Sequence, residues 1–558
     1  MFNCATPLSH DARAAPIDSC EVAEIGGLVP TKSGAVLGKA SGLRPEVSEY
    51  LGIPFAQPPT GALRFKAPVP VAASNATIDT TAFGPDCPCN RIPTSQAYIA
   101  GPAGEKILRA LAQDGTTLDE DCLTLNIWTK PQSGEAKKAV LFWIYGGGFS
   151  TGNTACPLYD GAVLADENDV VVVSANYRLN IFGFSAAPGQ DTNVGLLDQR
   201  LALEWTRDNI EAFGGDSNRI TVFGQSAGGA STDLIAYGYP DDPIAHALIP
   251  QSGVANSVIT SGRSREDVQK NWYKASQNAG CGGEEAGEAT VECMRGKSWE
   301  DILTTIEPIG QTALMSGFAP FADEKVVPSD VVSRGETGRF AKLPYLTGNM
   351  DNEAAFFVVV ALAYTNITAE QAYAIPTALI QPILDLITFT TFTCSAFQAA
   401  KFRADNQVPV WRYMYYGGNY SNTYLKPLGS NYHTAELPVL FGTAANVTSV
   451  PDSDVEVSMA VVMRKAWAAF AKDPANGLAE WPHAGSLLGN SMVRLAYENE
   501  TGPSFTSEAT DQLICPVTQS FTGLAAQLQG ILTSLSAIAI GGNATPTQLA
   551  AIQKLLGK

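Results

Sequence analysis

Positive charge is scarce in this sequence: 36 Lys and Arg stand against 55 Asp and Glu, a formal net charge of −19. Phosphate backbones and anionic lipid surfaces are held by clustered Lys and Arg. No basic stripe is present, which excludes nucleic acid as a partner. Metal-ligating patterns are missing as well. There is no C-x-x-C pair and no H-E-x-x-H, and Cys87 and Cys89, separated by a single residue, suit no usual zinc knuckle; no metal or other cofactor is expected. The most apolar stretch, 354–364, is about half the length that a bilayer helix requires, so it is expected in a buried core and no transmembrane segment is expected. Residues 1–20 contain no apolar core of the signal-peptide kind, so for a secreted protein the sequence reads as a mature or recombinant form. No internal repeat and no low-complexity linker occur.

What remains is a globular composition. Apolar residues make up 45% of the 558 and charged residues only 16%, enough to bury a large core. Ten cysteines suit an oxidising compartment. Six N-x-Ser/Thr sequons, at Asn75, Asn366, Asn419, Asn446, Asn499 and Asn543, point the same way and predict a secreted glycoprotein. The simplest organisation is one domain over 1–520 and a helical appendage over 521–558. In the appendage Leu524, Leu528, Leu532 and Leu535 recur at helical spacing. It either docks on the domain or forms an interfacial or oligomer contact, and monomer and homodimer both stay open.

The pattern between 139 and 236 alternates strand and helix. Val140–Ile144 and Val170–Val173 are continuous apolar runs, as in strands of a parallel sheet buried on both faces. Leu197, Leu201 and Trp205 form a four-residue stripe, Ile220–Phe223 is another strand, and a helical stretch follows to Ala236. Such alternation predicts an α/β layered fold.

Gly224-Gln225-Ser226-Ala227-Gly228 lies at the junction of that last strand and helix. A lone G-x-S-x-G arises by chance in about one chain in five of this length, so its value comes from the context. On a sharp strand–turn–helix corner the serine hydroxyl is exposed beside a helix N-terminus, where negative charge is favoured. The alternative is an ordinary helix start. Upstream, the strand Val140–Ile144 runs into Gly146, Gly147 and Gly148. The N–H groups of Gly147 and Gly148, with that of Ala227, could form an oxyanion hole; the alternative is a flexible glycine loop.

With these motifs in place, the chain resembles the type-B carboxylesterase/lipase family, which includes the cholinesterases. The resemblance rests on Leu51–Pro59 with Leu63–Phe65, Glu120–Asn126, Gly146–Gly148, Asn176–Arg178 with Leu197–Arg200, Phe213–Asp216 and Gly224–Gly229, in the family's order. It implies an α/β-hydrolase fold, a large, mostly parallel mixed sheet flanked by helices, and a secreted serine carboxylic-ester hydrolase acting on a small-molecule or lipid ester. Ser226 would be the nucleophile. The family's acid matches Glu353 at the end of Gly348–Glu353, with Asp351 as a rival two residues away, and its histidine matches His433 in Tyr432–Gly442. The order serine, acid, histidine is the α/β-hydrolase order. The resemblance further implies disulfides Cys87–Cys122, Cys281–Cys293 and Cys394–Cys515, and structural ion pairs Arg64–Glu120 and Arg178–Asp198. Cys4, Cys20, Cys89 and Cys156 have no assigned partner.

Two departures bear on substrate. Gln225 stands where cholinesterases carry Glu, and no Trp lies between Cys87 and Cys122, so a cation–π site for choline is not expected. Instead residues 99–113, within the flap loop 87–122, place Ile107, Leu108 and Leu111 on one side of a short helix. This resembles the flap that gates an acyl pocket in the family's lipases and sterol esterases; an ordinary packed helix is the alternative. An apolar acyl or aryl ester is the expected substrate. The second function class is a catalytically inactive binding protein, since relatives such as the neuroligins keep the fold without the chemistry.

Overall fold

A computed structural model describes residues 24–257, 263–309, 317–364, 368–374, 377–485 and 489–518. The 524–540 helix, the Asn366 and Asn543 sequons, Cys4 and Cys20 lie outside these residues.

Fourteen strands run in chain order among the described residues: β1 Leu28–Thr31, β2 Gly34–Leu37, β3 Lys39–Ala40, β4 Ser48–Pro54, β5 Thr77–Asp79, β6 Thr124–Thr129, β7 Lys138–Ile144, β8 Val171–Ala175, β9 Gly215–Gln225, β10 Ala247–Gln251, β11 Tyr345–Met350, β12 Val410–Tyr415, β13 Met492–Leu495 and β14 Ser504–Thr506. Eleven of them form one sheet in the order β14-β13-β12-β11-β10-β9-β7-β8-β6-β4-β3, and β1, β2 and β5 form a small second sheet. From β8 to β13 all pairings are parallel. The flanking strands β14, β6, β4 and β3 are antiparallel to their neighbours. Helices cover the parallel centre, which explains why its strands lack polar alternation: Val140 to Ile144 are all buried, and so are Val171 to Val173. This is the α/β-hydrolase fold. In such sheets the ligand site forms beyond the carboxyl ends of the strands.

Two helices differ from the sequence expectation. The stripe helix spans Val194–Asn209, but its deepest apolar residues include Leu196, Ala202 and Leu203, while Leu197 and Leu201 are half-buried. A four-residue spacing advances about 40° around an α-helix at each step, so Trp205 reaches the core while the two leucines lie on its flank. The flap helix does not begin at Ile99. A 3-10 turn, Ala97–Ala100, comes first, and Gly101 at φ 79° breaks the run before the α-helix Gly101–Leu111. That backbone angle suits glycine, and Pro102 in the first helical turn needs no N–H donor. Ile107 and Leu108 are buried and Leu111 half-buried.

The expected run at 354–364 is a mostly buried helix, Ala354–Ala363. A longer helical run, Ile380–Asp405, has the length and composition to cross a membrane, yet 61% of its apolar 18-residue stretch is buried inside the fold. It packs on β11 and β12 and carries Arg403, whose guanidinium pairs with the equally buried Asp233. Long-range ties hold the layers. Arg178 meets Asp198 through Nε–Oδ2 at 2.8 Å and Nη2–Oδ1 at 2.6 Å, and Arg64 Nε donates to Glu120 Oε1 at 2.6 Å. Disulfides join Cys87 to Cys122, Cys281 to Cys293 and Cys394 to Cys515. Cys89 and Cys156 are buried thiols.

Candidate active site

Strand β9 ends at Gln225, and Ser226 forms the corner before the helix Ala227–Gly238. Its backbone sits at φ 57° and ψ −120°, a conformation that costs a non-glycine residue about 1–3 kcal/mol. The surroundings enforce it. Ser226 N–H donates to Gln251 O at 2.8 Å, and a side chain at Gly228 would place its Cβ 2.0 Å from the Ile144 carbonyl oxygen. Only glycine lets the helix start this close to β7.

The neighbouring strand ends supply the other groups. After β7, Gly147 and Gly148 turn at φ 110° and 63° and line the same cleft as Ser226. Among the described residues, no acceptor takes the N–H of Gly147, Gly148 or Ala227. After β11, Glu353 is fully buried and its Oε1 accepts from Met350 N–H at 2.8 Å. After β12, His433 is brought back over the sheet, with Nδ1 2.5 Å from Glu353 Oε2. The rings of Phe356, Phe357 and Phe392 lie 5.1 to 6.0 Å from the imidazole and confine it. Asp351, the rival acid, instead accepts from Asn431 Nδ2 at 3.2 Å.

The structure therefore unites Glu353 with His433 and sets Ser226 and His433 on the walls of one cleft. The third contact differs from the expected hydrogen-bonded row. No hydrogen bond joins Ser226 Oγ to the ring among the described residues; Gln225 Nε2 lies 3.1 Å from His433 Nε2. With Nδ1–H donating to the carboxylate, Nε2 is the acceptor, and the Gln225 amide occupies its lone pair. Such bonds are often loose without substrate. Ile92, Leu111, Tyr159, Phe356, Phe357 and Leu437 give the cleft apolar and aromatic walls.

A buried carboxyl to which the motif reading gave no role stands behind the Glu353–His433 pair. Glu436 Oε1 accepts from Gln251 Nε2 at 3.1 Å, and Gln251 Oε1 accepts from Trp467 Nε1 at 3.1 Å. Burial, with the Glu353 carboxylate nearby, pushes Glu436 from 4.5 up to about 8. Its position three residues after His433 was visible, but nothing in the spacing announced its depth. A raised acid pKa gives stability that is complete below the unfolded value and is lost as pH rises through the folded one. Glu436→Gln is expected to match the wild type near pH 4 and to exceed it by a few kcal/mol at pH 8. Urea midpoints at the two pH values measure this; a difference that does not change with pH would refute it.

The family model described as "Carboxylesterase family" matches residues 26–382 and 359–511. A chlorogenic acid esterase of Aspergillus niger is 36% identical over 461 residues, covering 81% of this chain and 84% of the relative. Secreted lipase 5 of Gibberella zeae is 32% identical over 509 residues, covering 86% and 92%. A cholinesterase of Mus musculus is 35% identical over 345 residues, covering 61% and 55%.

Proposed function

Because the chain belongs to the carboxylesterase family and is a carboxylic-ester hydrolase, we propose that it cleaves esters by acyl transfer through Ser226, with His433 as general base and Glu353 as the acid that holds it. The observation that carries this is the Glu353–His433 contact facing the same cleft as a serine on a strained corner. A serine hydroxyl is a weak nucleophile until a base takes its proton. His433 Nε2 exchanges the Gln225 amide for Ser226 Oγ, accepts the proton as Oγ attacks the ester carbonyl, and returns it to the departing alcohol. Water then repeats the sequence on the acyl-enzyme. Glu353 fixes the ring tautomer and stabilises the imidazolium. The N–H groups of Gly147, Gly148 and Ala227 receive the oxyanion, each worth on the order of 3 kcal/mol in the transition state.

The apolar and aromatic cleft walls favour an apolar acyl or aryl group, in keeping with relatives named as a chlorogenic acid esterase and a lipase. The helix Gly101–Leu111 covers one side, presenting Leu111 to the cleft, and is held by Lys106 Nζ donating to Thr448 O at 2.7 Å. It acts as a gate to the acyl pocket. Rates across C2 to C12 acyl esters and aryl esters, in solution and as emulsions, are expected to peak above C2 and to rise beyond substrate solubility. A steady fall from C2 to C12 with no such rise would remove the gate from this reading. Three disulfides, together with exposed sequons at Asn75, Asn419 and Asn446, favour an extracellular site of action.

A further inference from the structure

Beside the glycine turn lies a buried polar cluster that the serine chemistry does not use. Gln113 follows the flap helix by two residues, is 1% exposed, and has a left-handed backbone at φ 60°. Its Oε1 accepts three hydrogen bonds: from Gly152 N–H at 3.0 Å, Thr151 Oγ1 at 2.7 Å and Cys89 Sγ at 3.1 Å. A backbone N–H can only donate, so this atom is the oxygen and the amide orientation is fixed. Gln113 Nε2 then donates to Asp86 Oδ2 at 2.9 Å, and the same oxygen accepts from Asn153 Nδ2 at 2.8 Å. Asp86 itself is 1% exposed.

The far side of this cluster is the oxyanion turn. Thr151 N–H donates to Gly147 O at 3.1 Å, so the residues that Gln113 grips close the turn carrying Gly147 and Gly148. A side chain at Gly147 would put its Cβ 2.2 Å from Thr151 O, which shows how tightly the two ends of the turn pack. Three glycines in a row have no intrinsic reason to hold one conformation. Their order comes from outside, and Gln113 reaches the far end of the turn, Thr151 and Gly152, from the disulfide-closed loop. We propose that Gln113, oriented by Asp86, is a positioning residue that sets the amides of the Gly147–Gly148 turn toward the developing oxyanion, and so links that turn to the end of the flap helix. This rests on the serine mechanism proposed above.

Gln113→Met keeps length and apolar bulk but loses the acceptor. It is expected to lower kcat per active site about 10- to 100-fold, the scale of a small misplacement of catalytic groups, with KM changed less than about threefold. Affinity for an aryl trifluoromethyl ketone, whose adduct with serine carries the oxyanion, is expected to fall by the same factor as kcat. Active sites are counted by phosphonate uptake at Ser226. Thr151→Val removes one of the three donors, is milder for folding, and is expected to give the same signature at smaller size. If Gln113→Met fails to fold, this variant decides with the same readouts. Unchanged kcat per titrated site and unchanged ketone affinity, even with fewer active molecules, would mean a merely structural amide and overturn the inference. Failure of the wild type itself to take up phosphonate at Ser226 would instead overturn the serine mechanism.

Discussion

Ser226→Ala is expected to lower kcat for any accepted ester by about 10⁶-fold, the scale seen when a triad nucleophile is removed, while leaving the fold intact. The reason the two outcomes separate is local. Ser226 Oγ makes no hydrogen bond among the described residues, so its removal orphans no buried partner. The positive φ at the corner is imposed by the Gln251 carbonyl and by the closeness of β7, and alanine inherits it unchanged. The variant should unfold within about 2 °C of the wild type and take up no phosphonate. A variant keeping more than a few percent of wild-type turnover, after exclusion of contaminating esterase, would end the assignment. The residual rate of a true knockout comes from binding and the glycine turn alone and should not depend on His433.

Arg403→Met is expected to have the largest effect on stability, on the order of 3–5 kcal/mol. Arg403 and Asp233 are both 1% exposed in their side chains. The guanidinium also donates to Tyr237 Oη at 3.0 Å and stacks 4.2 Å over the Tyr345 ring and 4.7 Å over the Phe340 ring. Without it, Asp233 keeps the Ala255 N–H at 2.8 Å but loses its countercharge, and an unpaired buried carboxylate is what makes such a loss severe. Equilibrium denaturation reads the loss, and a double variant with Asp233→Ala should recover part of it, because the stranded charge goes too. A single-variant cost below about 1 kcal/mol would mean that the pair is dispensable. Asp233 lies on the helix that Ser226 begins, so weakened packing there is also expected to lower the inactivation temperature.

The contrast between these residues shows what the sequence carried. Ser226, the glycine turn and the strands β7 and β9 announce themselves because each is local: a serine between glycines, an apolar run with no alternation. Glu353 and His433 were reached through resemblance, since neither has a neighbour in sequence that would mark it. Arg403 and Asp233, 170 residues apart, left no pattern, because a buried pair made across layers has no periodicity. Gln113 was visible only as the end of an amphipathic stretch. Its importance lies in where its amide points, and that is decided by Asp86 and by the backbone of the turn. The break at Gly101 and the tilt of the Val194–Asn209 stripe were missed for simpler reasons: a backbone angle and a rotation of the buried arc that apolar spacing alone does not fix.

The placement of the proposed catalytic groups after β9, β11 and β12 has a consequence for biosynthesis. His433 meets a carboxylate 80 residues upstream and an amide 208 residues upstream, so its contacts have a long reach along the chain. Non-local pairings form slowly, and synthesis delivers the N-terminal portion of the chain first. On the serine mechanism proposed above, a chain made only as far as Ser226 carries the proposed nucleophile but lacks its base and acid. Hydrolysis by that mechanism waits until His433, 207 residues further on, has been made and has closed on the sheet.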